Sequence, residues 1–515
     1  MGRYNRRIAV LHIGYQSVRT ENKFFIEWEF INMKKTILKG LSIISAAAIM
    51  GAAVIAPADI YSADNALLTV SAENITGDGD GDGAVTVSDA TIALSVYAKK
   101  AAGLSVSEYT DAQLQAVDVN FDGEINLTDA SAILEYYAQK AAGLDPSWGS
   151  GSGSEYDSGI MRSNMTAMDF VQEMGVGINL GNTFDAYWED LNKTTSGAQT
   201  IGNNTPVKYE TCWGAVETTE AAIAGIADAG FDTIRIPVYW GNMMNNDGKY
   251  EINDDYINRV QEVVDWSRKN GLYVVINVHH YDMFLVKNHS KDEVLKASEI
   301  IWTQIAEHFK GYSDYLIFEG YNEALGTYQD GVSLSESEVY DYVNDMNQVF
   351  VDAVRSAGGN NDERILIASG YWTNIDNTTK SSFVMPSDPA ENRMMVSVHY
   401  IDNTCYWTNA VGNDYWQNYS KSQCELLKNA FISKNIPVFV GECTASYTSD
   451  HIASNATIKD SSQCLSTILN MAVDYDLIPV LWDVSNGFYS KTNCKINKSS
   501  NSAVISEIAA KIANK

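Results

Sequence analysis

The stretch Tyr315-Leu-Ile-Phe-Glu-Gly-Tyr-Asn-Glu323 has the pattern of a buried β-strand that stops at an acid. Its first four residues are apolar and β-prone, and Gly320 ends the run, which places Asn322 and Glu323 at the C-terminal tip. A second stretch, Ile436-Pro-Val-Phe-Val-Gly-Glu442, has the same pattern. A single acid at a strand end is usually a solvated loop residue, so the meaning of this pair depends on the rest of the chain.

Strands and helices alternate from residue 161 to the C-terminus. Eight short apolar strands are predicted, at Val176–Leu180, Thr233–Pro237, Tyr273–Val278, Tyr315–Phe318, Ile365–Ala368, Met395–Val398, Val438–Val440 and Pro479–Trp482. Amphipathic helical stretches lie between most of them, and only the helix after the fifth strand is predicted to be weak or short. Eight such units favour an α/β fold, a (β/α)8 TIM barrel over residues 161–515. A doubly wound sheet is the alternative, but no G-x-G-x-x-G segment follows a strand.

Polar and aromatic residues lie at the C-terminal ends of six of the eight predicted strands. They include Arg235, Trp240, His279, His280, Asn322, Glu323, His399, Tyr400, Glu442, Trp482 and Asp483. Because catalytic residues of a TIM barrel collect at the C-terminal ends of its strands, these residues are expected on one rim. Two carboxylates on strand tips of one barrel are typical of a retaining glycosidase, in which one is the acid/base and the other the nucleophile.

The barrel resembles glycoside hydrolase family 5 over its whole length. The matching motifs are Gly177-Ile-Asn-Leu-Gly-Asn-Thr183, Ile234-Arg-Ile-Pro237, Ile276-Asn-Val-His-His280, Gly320-Tyr-Asn-Glu323, Val396-Ser-Val-His399, Val440-Gly-Glu442 and Leu481-Trp482. The first motif and Glu210-Thr-Cys-Trp-Gly214 look most like subfamily 4, which consists mainly of endo-β-1,4-glucanases. The resemblance implies an endo-β-1,4-glucanase that works by double displacement. A xyloglucanase, lichenase or mannanase with the same mechanism is the alternative.

The resemblance also implies roles for individual residues. It makes Glu323 the acid/base and Glu442 the nucleophile, and it places Asn322 on the substrate 2-hydroxyl. Trp482 would form the floor under the sugar at the cleavage point. The remaining implied substrate-binding residues are Arg235, His279, His280, His399 and Tyr400, with His279 favoured over His280 as the family's histidine.

The chemistry makes different demands on the two glutamates. The acid must be protonated at working pH, so the pKa of Glu323 is expected to be raised by low polarity or by a neighbouring charge. The nucleophile must be ionised, and Arg235 would favour the charge on Glu442. The family usually has a tyrosine two residues after the histidine of the sixth strand. Here that position is Ile401, and Tyr400 or Tyr406 is expected to substitute.

Several tryptophans are candidates for a long substrate cleft. Any one of them is more often a core residue than a sugar-binding platform. Trp407 and Trp416, in the polar segment after the sixth strand, are the best candidates. The others are Trp188, Trp213, Trp240 and Trp372.

Residues 73–146 contain an acidic loop in two copies, at 78–89 and 118–129. Each copy has acids or Asn at loop positions 1, 3, 5 and 12 and glycine at position 6, which is the spacing of oxygen ligands around Ca²⁺. The predicted ligands are Asp78, Asp80, Asp82, Asp89, Asp118, Asn120, Asp122 and Asp129. An acidic solvated turn would explain one copy, but not two copies in the same register.

Each loop continues into a helix, and both helices end in Ala-Ala-Gly-Leu, at 101–104 and 141–144. This duplicated loop and helix resembles a dockerin, a small all-α domain. The resemblance implies structural Ca²⁺ and a partner, the cohesin of a scaffoldin, which would contact the helix starts near Val87-Ser88 and Leu127-Thr128. No cofactor is expected for catalysis.

Residues 33–72 have the pattern of a signal peptide, with a basic Met33-Lys-Lys start and an apolar core at Ile43–Ile55. That core is shorter than the roughly 20 apolar residues of a membrane anchor, so we expect export. Residues 1–32 are interpreted as an over-extended N-terminus. A flexible Gly/Ser-rich linker is predicted at 147–160.

The net charge of −29 argues against nucleic acids and anionic membranes as partners. None of the six cysteines forms a C-x-x-C pair, which argues against a zinc site. The sequence therefore predicts a secreted endo-β-1,4-glucanase, attached to a cellulosome, with a monomeric catalytic domain. The alternatives from other classes are a non-catalytic glycan-binding subunit and, more weakly, a calcium sensor.

Overall fold

The structure is a computed structural model that describes residues 75–119, 124–143, 146–148, 156–187, 205–244, 248–280, 286, 289–325, 334–402, 414–444, 460–484 and 487–515. The predicted N-terminal extension at 1–32, the signal peptide at 33–72 and the Gly/Ser-rich centre of the predicted linker, 149–155, lie outside these ranges. Within them, no helix has both the length and the apolar character that crossing a membrane requires.

The N-terminal domain consists of helices α1 (Val87–Ala101), α2 (Asp111–Val117) and α3 (Leu127–Ala141). The two acidic loops end in equivalent capping boxes, since Asp89 at the start of α1 and Asp129 at the start of α3 each accept a backbone hydrogen bond from the residue that caps the helix. Small apolar residues between the helices, among them Ala93 and Ile133, are fully buried. The sequence duplication is therefore a structural duplication.

A short antiparallel pair, β1 (Pro146–Ser147) and β2 (Met161–Arg162), precedes the barrel. The barrel strands are β3 (Gly177–Asn179), β4 (Thr233–Ile236), β5 (Tyr273–Asn277), β6 (Leu316–Glu319), β7 (Leu366–Ser369), β8 (Met394–His399), β9 (Val438–Thr444) and β10 (Leu477–Trp482). They form a closed parallel barrel in chain order, and β10 closes it on β3. All eight predicted strands and the predicted fold class are confirmed.

The connecting helices follow the expected alternation. They are α4 (Phe170–Met174), α5 (Pro206–Glu210), α6 (Glu220–Asp228), α7 (Asp254–Lys269), α8 (Lys291–His308), α9 (Glu336–Ser356), α10 (Ile375–Thr378), α11 (Asp414–Ala430), α12 (Ser461–Asp474) and α13 (Ser499–Ala513). Short 3-10 turns lie at Trp240–Met243, Gly359–Asp362, Tyr371–Thr373 and Ile432–Lys434. A terminal antiparallel pair, β11 (Tyr489–Ser490) and β12 (Lys495–Ile496), precedes α13. The weak helix predicted after the fifth strand is the single turn α10.

The inside of the barrel changes from apolar to polar along its axis. Val275, Ile317 and Phe439 belong to a buried apolar cluster with Phe170 and Met174 of α4, which closes the N-terminal end. Alternate residues of a strand face the same side. Two positions further along their strands, Val275 is therefore followed by Asn277 and Ile317 by Glu319, and these polar groups lie inside the C-terminal end.

A fully buried cation links the segment between α8 and β6 to the start of β7. The guanidinium of Arg364, just before β7, donates one hydrogen bond to Asn361 Oδ1 at 2.9 Å. It also donates to the backbone carbonyls of Phe309, Tyr312, Ser313 and Leu316, at 2.7 to 3.0 Å. Burial lowers the pKa of this arginine to about 10, so its charge persists at neutral pH.

Replacing Arg364 with methionine should therefore lower the free energy of unfolding by at least about 3 kcal/mol, because several buried carbonyls would lose their donor. Urea unfolding followed by circular dichroism measures the change. The control is Lys296→Met, since the Lys296 side chain is 64% exposed and should cost less than about 0.5 kcal/mol. Equal midpoints for the two variants would contradict the structural role of Arg364.

Candidate active site and calcium loops

Arg235, on β4, is fully buried at the centre of the polar end of the barrel. Its Nε donates to Glu319 Oε2 at 2.7 Å, and its Nη2 donates to Asn322 Oδ1 at 2.9 Å. Its Nη1 donates to Asn179 Oδ1 at 2.9 Å and to Glu442 Oε1 at 3.3 Å. Burial opposes the charge of the guanidinium, but the two carboxylates more than compensate and raise its pKa. Arg235 is thus a permanent cation between two acids.

Glu319 is a site residue that the sequence analysis missed. It is fully buried at the end of β6, where it accepts hydrogen bonds from Ser397 Oγ at 2.6 Å and Asn277 Nδ2 at 3.0 Å. The available signal was an acid directly after the apolar run of a buried strand, in a barrel that also carries an inward arginine. Glu319 is thus a second carboxylate partner of Arg235, besides Glu442.

The two predicted catalytic glutamates face each other on the C-terminal rim. One carboxylate oxygen of Glu323, one of Glu442 and one ring nitrogen of His399 all lie within 4.8 Å of one another. The Glu442 side chain, on β9, is 5% exposed, whereas that of Glu323, after β6, is 29% exposed. One acid is therefore enclosed by protein and the other is open to the cleft.

Tyr400 occupies the place that the sequence analysis left open. Its hydroxyl donates to Glu442 Oε2 at 2.5 Å, and its backbone N–H donates to Glu442 O at 2.7 Å. A positive φ of 55° turns its side chain toward the site, while Ile401 is fully buried. Burial and the charge of Glu442 raise the pKa of the phenol, so it stays a neutral donor. Tyr406 lies outside the described residues.

The pKa of Glu323 differs from the expectation. Burial raises it, but the hydrogen bond and the charge of His399 outweigh burial, and the net shift is downward. His399 Nδ1 lies 3.2 Å from Glu323 Oε1 and 3.7 Å from Glu442 Oε2. The expected rise is therefore wrong for the free protein, because a histidine from another strand bonds the Glu323 carboxyl.

His279, His280 and Trp482 form one wall of the site. The rings of His279 and Trp482 are parallel to within 4°, with centroids 6.1 Å apart. Burial, followed by the charge of His280, lowers the pKa of His279 well below its usual value, and burial lowers that of His280 to about 4. Both imidazoles are therefore neutral hydrogen-bonding groups near neutral pH. The stacking on Trp482 favours His279 as the histidine beside the sugar.

The candidate cleft tryptophans separate into two groups. Trp213 is 37% exposed and lies 6.1 Å from the His280 ring, and Trp372 is 41% exposed. The Trp372 backbone N–H donates to Ala324 O at 3.0 Å, next to Glu323. Trp240 and Trp416 are fully buried, so the prediction of Trp416 as a sugar platform is wrong. Trp416 lies on the first turn of α11 and points into the core. Trp188 and Trp407 lie outside the described residues.

The first acidic loop has the geometry of a cation site. One carboxylate oxygen from each of Asp78, Asp80 and Asp82 lies within 4.8 Å of the others. Asp78 Oδ2 accepts from the N–H of Gly83, which has a φ of 90° and allows the sharp turn at loop position 6. Asp89 is fully buried and accepts from the N–H of Asp80 at 3.0 Å. This set of clustered oxygens fits Ca²⁺.

The second loop is described only at its ends. Asp129 is fully buried, and it accepts from the N–H groups of Val119 at 3.0 Å and Asn126 at 2.9 Å. Asp118 is also described. Asn120 and Asp122, the other predicted ligands, lie outside the described residues. Asp129 thus repeats the anchoring role of Asp89.

Each of the two domains matches a known protein family. The profile of the family described as Cellulase (glycosyl hydrolase family 5) matches residues 191–488, and that of the Dockerin type I domain matches residues 76–136. Endoglucanase 1 of Ruminococcus albus is 34% identical over 321 residues, which cover 62% of this chain and 73% of that protein. The sequence similarity therefore extends over most of the barrel.

Solved structures of family 5 enzymes are also similar to this chain. A GH5-4 broad specificity endoglucanase from an uncultured bovine rumen ciliate is 30% identical with a TM-score of 0.58, over 68% of this chain and 99% of that one. A Bacteroides ovatus GH5 xyloglucanase, in complex with a XXXG heptasaccharide, is 28% identical with a TM-score of 0.57, over 67% and 77% of the two chains. The chain therefore belongs to glycosyl hydrolase family 5, as a cellulase that carries an N-terminal type I dockerin.

Proposed function

We propose that this protein is a secreted, cellulosome-attached, retaining endo-β-1,4-glucanase, with Glu323 as acid/base and Glu442 as nucleophile. The observation that supports it most is the approach of the two carboxylates to within 4.8 Å. Retaining glycosidases hold their carboxyl groups about 5 to 5.5 Å apart, whereas inverting enzymes leave about 6.5 to 9.5 Å for a water molecule.

In the first step, Glu442 attacks the anomeric carbon while Glu323 gives its proton to the oxygen of the leaving sugar. Arg235 and Tyr400 donate to one oxygen each of Glu442, which fixes its direction of attack. The Oδ1 atom of Asn322 is occupied by Arg235, so the amide N–H groups are the part of this side chain left to donate to the substrate 2-hydroxyl.

In the second step, Glu323 removes a proton from water, and the resulting attack releases the sugar from Glu442 with its β configuration. His399 forms a hydrogen bond with Glu323 and therefore influences whether Glu323 holds or releases this proton. Trp482 and the neutral His279 would bind the sugar at the cleavage point.

The preferred polysaccharide has one supported alternative. The Bacteroides ovatus neighbour is a xyloglucanase, and the same catalytic constellation would serve a xyloglucanase, a lichenase or a mannanase. A non-catalytic glycan-binding subunit is disfavoured, because both carboxylates and their bonding partners are present.

The dockerin part of the proposal is calcium-dependent attachment to a cohesin. The clustered acids of the first loop support calcium, which would hold the loop together by binding its carboxylate oxygens. Val87 and Leu127 occupy equivalent positions at the starts of α1 and α3, and they are 51% and 55% exposed. Exposed apolar side chains at both helix starts suit a protein partner. The signal-peptide pattern supports export.

Glu442→Gln should lower kcat on soluble β-glucan by at least about a thousandfold, because the amide cannot form the glycosyl intermediate. Affinity electrophoresis should show that polysaccharide binding remains. The matched control is Glu425→Gln, which removes an exposed carboxylate on α11. Proton NMR of the wild-type reaction should show the β-anomer first. Early α-anomer, or equal rates for both variants, would contradict the mechanism.

His399→Ala should move the basic limb of the pH profile of kcat/KM to higher pH. The first step needs protonated Glu323, and His399 lowers the pKa of that carboxyl. Removal of the imidazole should therefore raise the pKa of Glu323 and, with it, the pH at which activity is lost. The control is His308→Ala, a histidine of α8 whose ring bonds Gln261. An unchanged limb, or one at lower pH, would show that His399 does not lower the pKa of Glu323.

Trp372→Ala should lower activity on polymeric glucan more than activity on a small substrate. Because the Trp372 backbone bonds Ala324, beside Glu323, and its side chain is exposed, we infer that it binds the leaving part of the glucan. Its loss should reduce kcat/KM on polymeric glucan about tenfold, or about 1.4 kcal/mol. Activity on an aryl cellobioside should stay within about twofold. Trp266→Ala, on the outer helix α7, is the control. Equal losses on both substrates would contradict a role of Trp372 in binding the leaving part of the glucan.

A further inference from the structure

The dockerin lies against the N-terminal face of the barrel, at the end opposite the catalytic rim. Strand β1, which follows the dockerin, pairs with β2, so that Pro146 is opposite Arg162 and Ser147 is opposite Met161. Arg162 in turn donates from its Nε to Asp314 Oδ2 at 2.9 Å, just before β6. Both ends of the predicted linker are thus joined to each other and to the base of the barrel.

Ile160 is shared by the two domains. Its side chain is 1% exposed and belongs to the apolar core of the dockerin, together with Ile133 of α3 and Trp148. Its backbone carbonyl accepts a hydrogen bond from Asp314 of the barrel at 3.4 Å. If the dockerin left the barrel, this isoleucine would be exposed to water, which opposes separation.

Asp157 fixes the same segment from the barrel side. It is buried, and its carboxylate accepts from Arg268 Nε at 2.6 Å and from the N–H of Ser313 at 2.6 Å. The segment 157–162 is therefore held rigidly on the barrel while it presents Ile160 to the dockerin. The predicted linker is a structured contact over this part of its length.

Trp148 connects the first calcium loop to this contact. Its ring stacks on Tyr136 of α3, with centroids 4.4 Å apart and planes 6° apart. A Cβ atom added to Gly77 would overlap the indole, so the backbone just before Asp78 passes directly against Trp148. Gly77 also donates its N–H to Ala116 O at 2.7 Å. The start of the calcium loop thus packs on the residue that follows β1.

Charge at the contact is consistent with close packing. Burial raises the pKa of Glu135, on α3, to about 6, and the positive charges of Arg268 and Arg162 on the barrel act in the opposite direction. The Glu135 carboxyl of the dockerin therefore lies within electrostatic range of two guanidinium groups of the barrel.

We propose that the dockerin and the barrel form one body through this contact, and that calcium in the first loop stabilises the base of the barrel through Gly77 and Trp148. The docking rests on the contacts alone, and only its calcium dependence rests on the proposed calcium site. A ligand that stabilises one side of a packed contact also opposes the opening of the other side.

Hydrogen exchange of residues 73–515, read by mass spectrometry in calcium and in EGTA, tests the proposal. Chelation should raise exchange about tenfold in the loop peptide 78–89 and also in the base peptides 157–162 and 311–316. The peptide that contains β7, in the barrel core, should not change. Loosening of the loop with no change in the base peptides would overturn the coupling while leaving the calcium site intact.

Trp148→Ala in calcium provides the second arm. It should raise exchange in the base peptides about as much as chelation does, because the stack on Tyr136 is lost. The matched control is Tyr137→Ala, which removes the neighbouring ring of α3, 39% exposed. A base that responds to Trp148→Ala while the loop ignores EGTA would support the docking and refute the calcium site. No response to either change would overturn the docking.

Discussion

The buried cation Arg235 is the constraint on which the catalytic end of the barrel depends. An isolated guanidinium inside a protein is strongly unfavourable, and it is tolerated only with charged partners and filled hydrogen bonds. Glu319 supplies one carboxylate and Glu442 the other, while Asn179 and Asn322 accept the remaining hydrogen bonds. Since Glu319 is closer, at 2.7 Å against 3.3 Å, Arg235 positions Glu442 without forming its tightest pair with it.

The alternation of inward-facing residues explains how one barrel has an apolar N-terminal end and a polar C-terminal rim. Alternate residues along each strand enter the barrel, so the inward positions change from Val275 to Asn277 and from Ile317 to Glu319 within two residues. The strands β8 and β9 lose their regular register between Val398 and His399, which brings His399 opposite Glu442. Gly441 permits this approach, because a Cβ there would lie 3.0 Å from His399 Nε2.

Sequence periodicity was sufficient for the barrel strands, because each is a short apolar run ending in turn-forming residues. It also located Glu323 and Glu442, since a strand tip is defined by the strand. Periodicity alone did not show that Glu319 faces inward, because a continuous apolar run does not distinguish its alternate positions, and only the acid at the end of the run was a signal. Trp416 was wrongly predicted to lie in the cleft. It is on the first turn of α11, which begins two residues earlier, and its side chain is buried in the core. The direction of the Glu323 pKa depends on His399, which is 76 residues away and unrelated by any local pattern.

The position of the dockerin fits the difference between the two ends of the barrel. The C-terminal rim carries strained and charged groups, such as Tyr400 with its positive φ, whereas the N-terminal face is packed with apolar side chains and buried ion pairs. A domain docked on the stable face adds to packing that already exists and leaves the cleft free. Val87 and Leu127 remain exposed in that position, so a protein partner at the helix starts and a polysaccharide in the cleft would bind different ends of the molecule without competing.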